Sequence, residues 1–149
     1  MDNAVKKEEA DLFSKIEDAF EIGEKDIKEY SPLALAYIGD AIYEIVIRTV
    51  VVNSVKTNVS SYHKASSGLV KAESQMNMYN SILTLLTEKE IAVYKKGRNA
   101  NVHSKAKNAA MTVYKKATGF EALMGYLYLT GQTDRMLMLI KEGIKAINN

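Results

Sequence analysis

Residues 31–48 read SPLALAYIGDAIYEIVIR, and the fold turns on them. Ser31 followed by Pro32 marks a helix start. The serine side chain accepts from free N–H groups, and proline at the first helical position loses no hydrogen bond. Leu33, Leu35, Ala36, Ile38, Ala41, Ile42, Ile45, Val46 and Ile47 then leave no polar face. A helix apolar all round is expected to be buried on most sides. Asp40 interrupts it beside Gly39. A buried, unpaired carboxylate costs several kcal/mol, so Asp40 needs a basic partner, a proton or a cation. Glycine is a poor helix former, and at residue 39 it removes a side chain where space is needed.

Outward from this helix the chain reads as one all-α domain of 149 residues, with one proline and no cysteine. Disulfides and thiolate zinc sites are thereby excluded. The N-terminal residues MDNAVKKEEADLF lack the apolar run of a signal peptide. Gly39, Asp40, Glu44 and Arg48 break the longest apolar stretch before it reaches membrane-spanning length. The expectation is a cytoplasmic protein with no membrane partner. The net charge is only +2, but residues 1–29 carry −5 and the remainder +7. A basic body suits a polyanionic partner.

Residues 1–29 read as an acidic, helical N-terminal extension, with Leu12, Phe13, Ile16, Ala19 and Phe20 at helical spacing, and 30–149 as the folded domain. The central helix runs to about Val52. A short helix follows over 59–68 with Tyr62, Ala65 and Leu69 inward. Another spans 70–86 with Met76, Tyr79, Ile82, Leu83 and Leu86 on one side. Thr87 and Glu90 form a capping box. The helix that it opens is expected to end near Gly97, a natural C-terminal stop. An apolar helix runs from Met111 to Leu129. Thr133 or Asp134 caps the last one, whose core stripe is Met136, Leu137, Leu139, Ile140, Ile144 and Ile147.

Two features carry chemistry. From Ile91 to Lys116 there are seven basic residues and no acid: Lys95, Lys96, Arg98, Lys105, Lys107, Lys115 and Lys116. Asn99 and His103 are interleaved with them. A solvated loop is the plain reading. Such groups also grip phosphates and sugars. The second feature is Glu121, the lone acid of its apolar helix, 81 residues after Asp40. If the two converge, a divalent cation is their natural shared partner. Magnesium takes oxygen ligands and is held by one or two carboxylates plus waters. It polarises a phosphoryl oxygen and acidifies a bound water. Metal-assisted phosphodiester hydrolysis is the expected chemistry.

Leu35-Ala36-Tyr37-Ile38-Gly39-Asp40-Ala41 resembles the signature motif of the ribonuclease III family, and Thr118-Gly119-Phe120-Glu121-Ala122-Leu123 its second acidic motif. Gly97-Arg98-Asn99-Ala100 is similar to a loop of the family's short branch, Mini-ribonuclease III, which has only a catalytic domain. The resemblance covers roughly residues 30–147. It implies a helical, dimeric endonuclease domain with central helices meeting across a two-fold axis. It implies a magnesium-dependent endoribonuclease, with manganese as a substitute, acting on double-stranded RNA and maturing large-subunit ribosomal RNA precursors. Asp40 and Glu121 are then the implied catalytic residues and metal ligands. Arg98, Asn99, Lys95, Lys96, Lys105, Lys107 and His103 are candidates for RNA binding. Two further acids of the longer relatives are replaced by Ala36 and Thr118. The rival reading is a non-catalytic RNA-binding or ribosome-associated protein on the same fold.

Overall fold

The structure is a computed structural model and describes residues 11–54, 59–100 and 108–148. Among these, seven α-helices and two short 3₁₀ turns form the fold, with no strand. The helices are α1 (Leu12–Ala19), α2 (Pro32–Ser54), α3 (Val59–Val70), α4 (Ala72–Ile82), α5 (Glu88–Asn99), α6 (Ala109–Leu129) and α7 (Thr133–Ile147). The all-α expectation holds.

Local signals set several helix starts. The Ser31 hydroxyl accepts from the Ala34 N–H at 3.0 Å, with Pro32 opening α2. The Thr87–Glu90 box is complete: Thr87 Oγ1 accepts from the Glu90 N–H at 3.2 Å, and Glu90 accepts from the Thr87 N–H at 2.9 Å. Asp11 caps α1 through the Ser14 N–H at 3.0 Å. The Phe13 ring of α1 then sits 5.2 Å from that of Tyr128 on α6.

The core forms where α6 lies against α2, α4 and α5, with α7 closing on α4. Tyr43, Ile47, Met78, Ile82, Phe120, Leu123, Met124, Leu127 and Leu139 are fully buried there. Tyr43 meets Phe120 edge-on at 5.1 Å, and its hydroxyl donates to the Leu69 carbonyl at 2.9 Å. One side chain thus ties α2 to both α6 and the end of α3.

Several sequence expectations are corrected. The central helix is not buried on most sides. Leu35, Ala36, Gly39, Tyr43, Ile47 and Val51 face the core. Leu33, Tyr37, Ala41, Ile45 and Val52 recur at helical spacing on an exposed face, with Tyr37 84% exposed. A uniformly apolar helix has no preferred side of its own; the partners that pack on it choose one. Residues 70–86 are not one helix: α4 starts at Ala72 and gives way to a 3₁₀ turn at Leu83. The inward positions are Gln75, Met78, Tyr79 and Ile82, while Leu83 is exposed and Met76 is half-buried. α5 does end near Gly97, at Asn99, while Gly97 itself lies buried in the last turn, where an added Cβ would fall 2.6 Å from that of Ala122. Gln132, not Thr133 or Asp134, precedes α7, and it makes no side-chain cap. Leu137 is exposed, off the α7 core stripe.

Candidate active site

Asp40 and Glu121 come together where α2 crosses α6. The crossing is backbone on backbone. A Cβ on Gly39 would lie 1.7 Å from the Glu121 carbonyl oxygen, and one on Gly125 would lie 2.0 Å from the Leu35 carbonyl oxygen. Only glycine lets the two helices approach this far. Asp40, next to Gly39, and Glu121, one turn before Gly125, are thereby brought to the same edge of the contact.

Asp40 is exposed and Glu121 half-buried, so the expectation that Asp40 is a buried charge is corrected. The cost falls on its partner instead. Burial, then the Asp40 charge, then a hydrogen bond shared with Asp40 push the Glu121 carboxyl up to about 8. A like charge at this range disfavours ionisation. Gln75 of α4 acts in the opposite direction, favouring the ionised carboxylate. Among the described ion pairs, which join Glu44 to Arg48, Glu90 to Arg135 and Glu142 to Lys145, neither Asp40 nor Glu121 takes part. Glu44 is therefore held by Arg48, one turn further along α2.

Beside the pair lies a cavity of about 480 Å³ whose lining includes Ala36, Tyr37, Asp40, Tyr114, Thr118 and Glu121. Ala36 and Thr118 both line it. Thr118 donates its hydroxyl to the Tyr114 carbonyl at 3.0 Å. No cluster of three or more metal-ligating side chains occurs among the described residues. Among the described residues the crossing therefore presents two carboxylates side by side.

The basic candidates divide. Lys95, Lys96, Arg98 and Asn99 occupy the last two turns of α5, with the two lysines exposed. The Arg98 guanidinium lies 5.7 Å from the Tyr94 ring centroid, and its Nε donates to Asn99 Oδ1 at 3.1 Å. Tyr94 in turn stacks on Tyr79 at 3.4 Å. Lys105, Lys107 and His103 lie outside the described residues. Sequence reasoning missed Gln75, which is only 1% exposed. Its spacing from Met78, Tyr79 and Ile82 placed it on the apolar stripe, and a glutamine there was the available signal.

The sequence matches the family described as Ribonuclease III domain over residues 33–132. The chain belongs to the ribonuclease III family. A Mini-ribonuclease 3 from Enterococcus faecalis is 46% identical over 125 residues, covering 83% of this chain and 95% of that protein. One from Clostridium tetani is 44% identical over 122 residues, covering 81% of each. A crystal structure of a Fusobacterium nucleatum protein superposes with a TM-score of 0.71 at 31% identity, covering 83% of this chain and 98% of that one. The two acidic motifs, and with them the α2/α6 crossing, fall inside the ribonuclease III match. This chain is an endoribonuclease. No helix among the described residues is long and apolar enough to cross a membrane.

Proposed function

We propose that this endoribonuclease cuts double-stranded RNA with magnesium held by Asp40 and Glu121, and that it acts as a homodimer on ribosomal RNA precursors in the cytoplasm. The observation that carries the reading is the meeting of those two carboxylates at the glycine crossing, without a basic partner among the described residues. The donor set fits magnesium. It is all oxygen, it holds two like charges that a divalent cation would relieve, and it leaves coordination positions for water and phosphate. Manganese suits the same donors. When bound, the cation supplies Lewis acidity to the phosphodiester and acidifies water at the site.

The chain's own residues do the rest. Asp40 and Glu121 hold the charge at the mouth of the cavity. Lys95, Lys96 and Arg98 present positive charge along α5 to phosphates, and Tyr94 and Asn99 orient the guanidinium. Lys105, Lys107 and His103 extend this surface in the proposal. The exposed stripe of Leu33, Tyr37, Ala41, Ile45 and Val52 supplies the dimer face, which sedimentation of the purified chain checks. Residues 1–29 are assigned as an acidic extension outside the catalytic domain.

The test is cleavage of a defined RNA duplex with magnesium titrated and the ends mapped. Asp40→Asn and Glu121→Gln are each expected to lose about 100-fold or more in rate while still binding the duplex. Cleavage at the wild-type rate by either variant removes that residue from the site.

A further inference from the structure

We infer that Tyr79 of α4 is a positioning residue for RNA binding: stacked on Tyr94, it holds the ring against which the Arg98 guanidinium is set. This rests on the reading of Arg98 given above. The Tyr79 and Tyr94 rings lie face to face, with centroids 3.4 Å apart and planes 7° from parallel. The guanidinium carbon of Arg98 lies 5.7 Å from the Tyr94 centroid, and Arg98 Nε donates to Asn99 Oδ1 at 3.1 Å. Arg98 is half-buried and takes part in none of the ion pairs among the described residues. A ring and an amide hold its charge without cancelling it. That charge is left for phosphate, which a guanidinium meets with paired N–H groups.

The ring pair does more than fill the core. Aromatic rings prefer edge contacts or offset stacks, because their negative faces repel. Tyr43 and Phe120 obey this, meeting edge-on at 5.1 Å and 90°. Tyr79 and Tyr94 do not, and a cation beside the pair offsets the repulsion. Both rings are buried. Tyr94 is also confined from the side of α6. A Cβ on Gly119 would fall 2.7 Å from its Cδ1 and Cε1 atoms and 2.8 Å from its carbonyl oxygen. Gly97 brings α5 onto the same turn of α6, where its own added Cβ would fall 3.2 Å from the Gly119 Cα. That turn carries Glu121. Tyr79, Tyr94 and Gly119 thus hold Arg98 in fixed register with the carboxylate pair, so the phosphate contact and the cut lie a set distance apart on the duplex.

The experiment measures the affinity of the full chain for an RNA duplex in chelator, by fluorescence anisotropy. Arg98→Ala first checks the underlying reading: affinity should fall, and its salt dependence should drop by about one phosphate contact. Tyr79→Leu and Tyr94→Leu remove the stack from either side, and Tyr79→Phe keeps it. The first two are expected to melt cooperatively and to bind the duplex about fivefold more weakly. Tyr79→Phe should recover the lost affinity. Placed on Arg98→Ala, Tyr79→Leu should cost no further affinity, because the two changes remove one contact. Wild-type affinity in Tyr79→Leu, or the same loss with and without Arg98, overturns the role of Tyr79 and leaves the reading of Arg98 standing. A Tyr79→Phe chain as weak as Tyr79→Leu does the same. Loss of cooperative melting in both Tyr79→Leu and Tyr94→Leu also overturns it, in favour of a purely structural pair. Arg98→Ala with wild-type affinity and salt dependence overturns the reading of Arg98 and this inference with it.

Discussion

Glu90 and Glu121 are both glutamates on packed helices, yet they ionise in opposite senses. Glu90 is buried and receives two arginine donors. Arg135 Nε reaches one oxygen at 2.9 Å and Arg135 Nη2 the other at 2.7 Å. The Thr87 N–H adds a third donor at 2.9 Å. The Arg135 bonds and the Thr87 contacts outweigh burial and hold this carboxyl below its ordinary value. Glu121 is less buried but faces Asp40, and its carboxyl rises to about 8. The fold can thus neutralise a carboxylate across 45 residues of sequence with an arginine fork. Among the described residues it supplies no such fork at the α2/α6 crossing. A carboxyl left that way takes up a proton or is balanced by a cation, and a perturbed carboxyl in a cleft is a candidate for a functional site.

The contrast breaks most severely at Gly39. Gly39→Ala places a Cβ against the Glu121 backbone and forces the helices apart. The expected loss is about 3 kcal/mol or more in chemical denaturation, because neither backbone yields as a side chain would. Next is Arg135→Met, which leaves Glu90 buried without its fork. About 2 kcal/mol should be lost at neutral pH, discounted because Arg135 is partly exposed. The pH dependence sharpens the point. The native pKa of Glu90 lies below its unfolded one, so its contribution is full above about 4.5 and disappears as pH falls through the lowered value. Arg135→Met should remove that acid-side slope.

The smallest effect has the opposite sign. The native pKa of Glu121 lies above its unfolded one, so metal-free stability falls as pH rises from about 4.5 to about 8 and stays lower beyond. Glu121→Gln should flatten this slope and stabilise the metal-free protein at pH 8 by about 1 kcal/mol, discounted because Asp40 is exposed. Thermal melts in chelator at several pH values measure it. A variant no more stable than wild type at pH 8 would mean that the two carboxylates do not oppose each other.

The sequence alone determined what acts within a few residues. Ser31 and Pro32 start α2, Thr87 and Glu90 cap α5, and the apolar periodicity of 133–147 makes α7, because caps and helical faces depend on neighbours three or four positions away. It also singled out Asp40 and Glu121, since each interrupts an apolar stretch and lies in a stretch resembling a family motif. Only the tertiary structure decided which face of α2 is core, because an all-apolar helix presents no stripe to read. Only it gave Gly97 a second role, the close approach of α5 to Ala122 of α6 just before the helix ends. It also joined Arg135 to Glu90 and brought Asp40 beside Glu121. Those pairings are set by how the helices pack on one another, and no spacing along the chain encodes a contact made between helices.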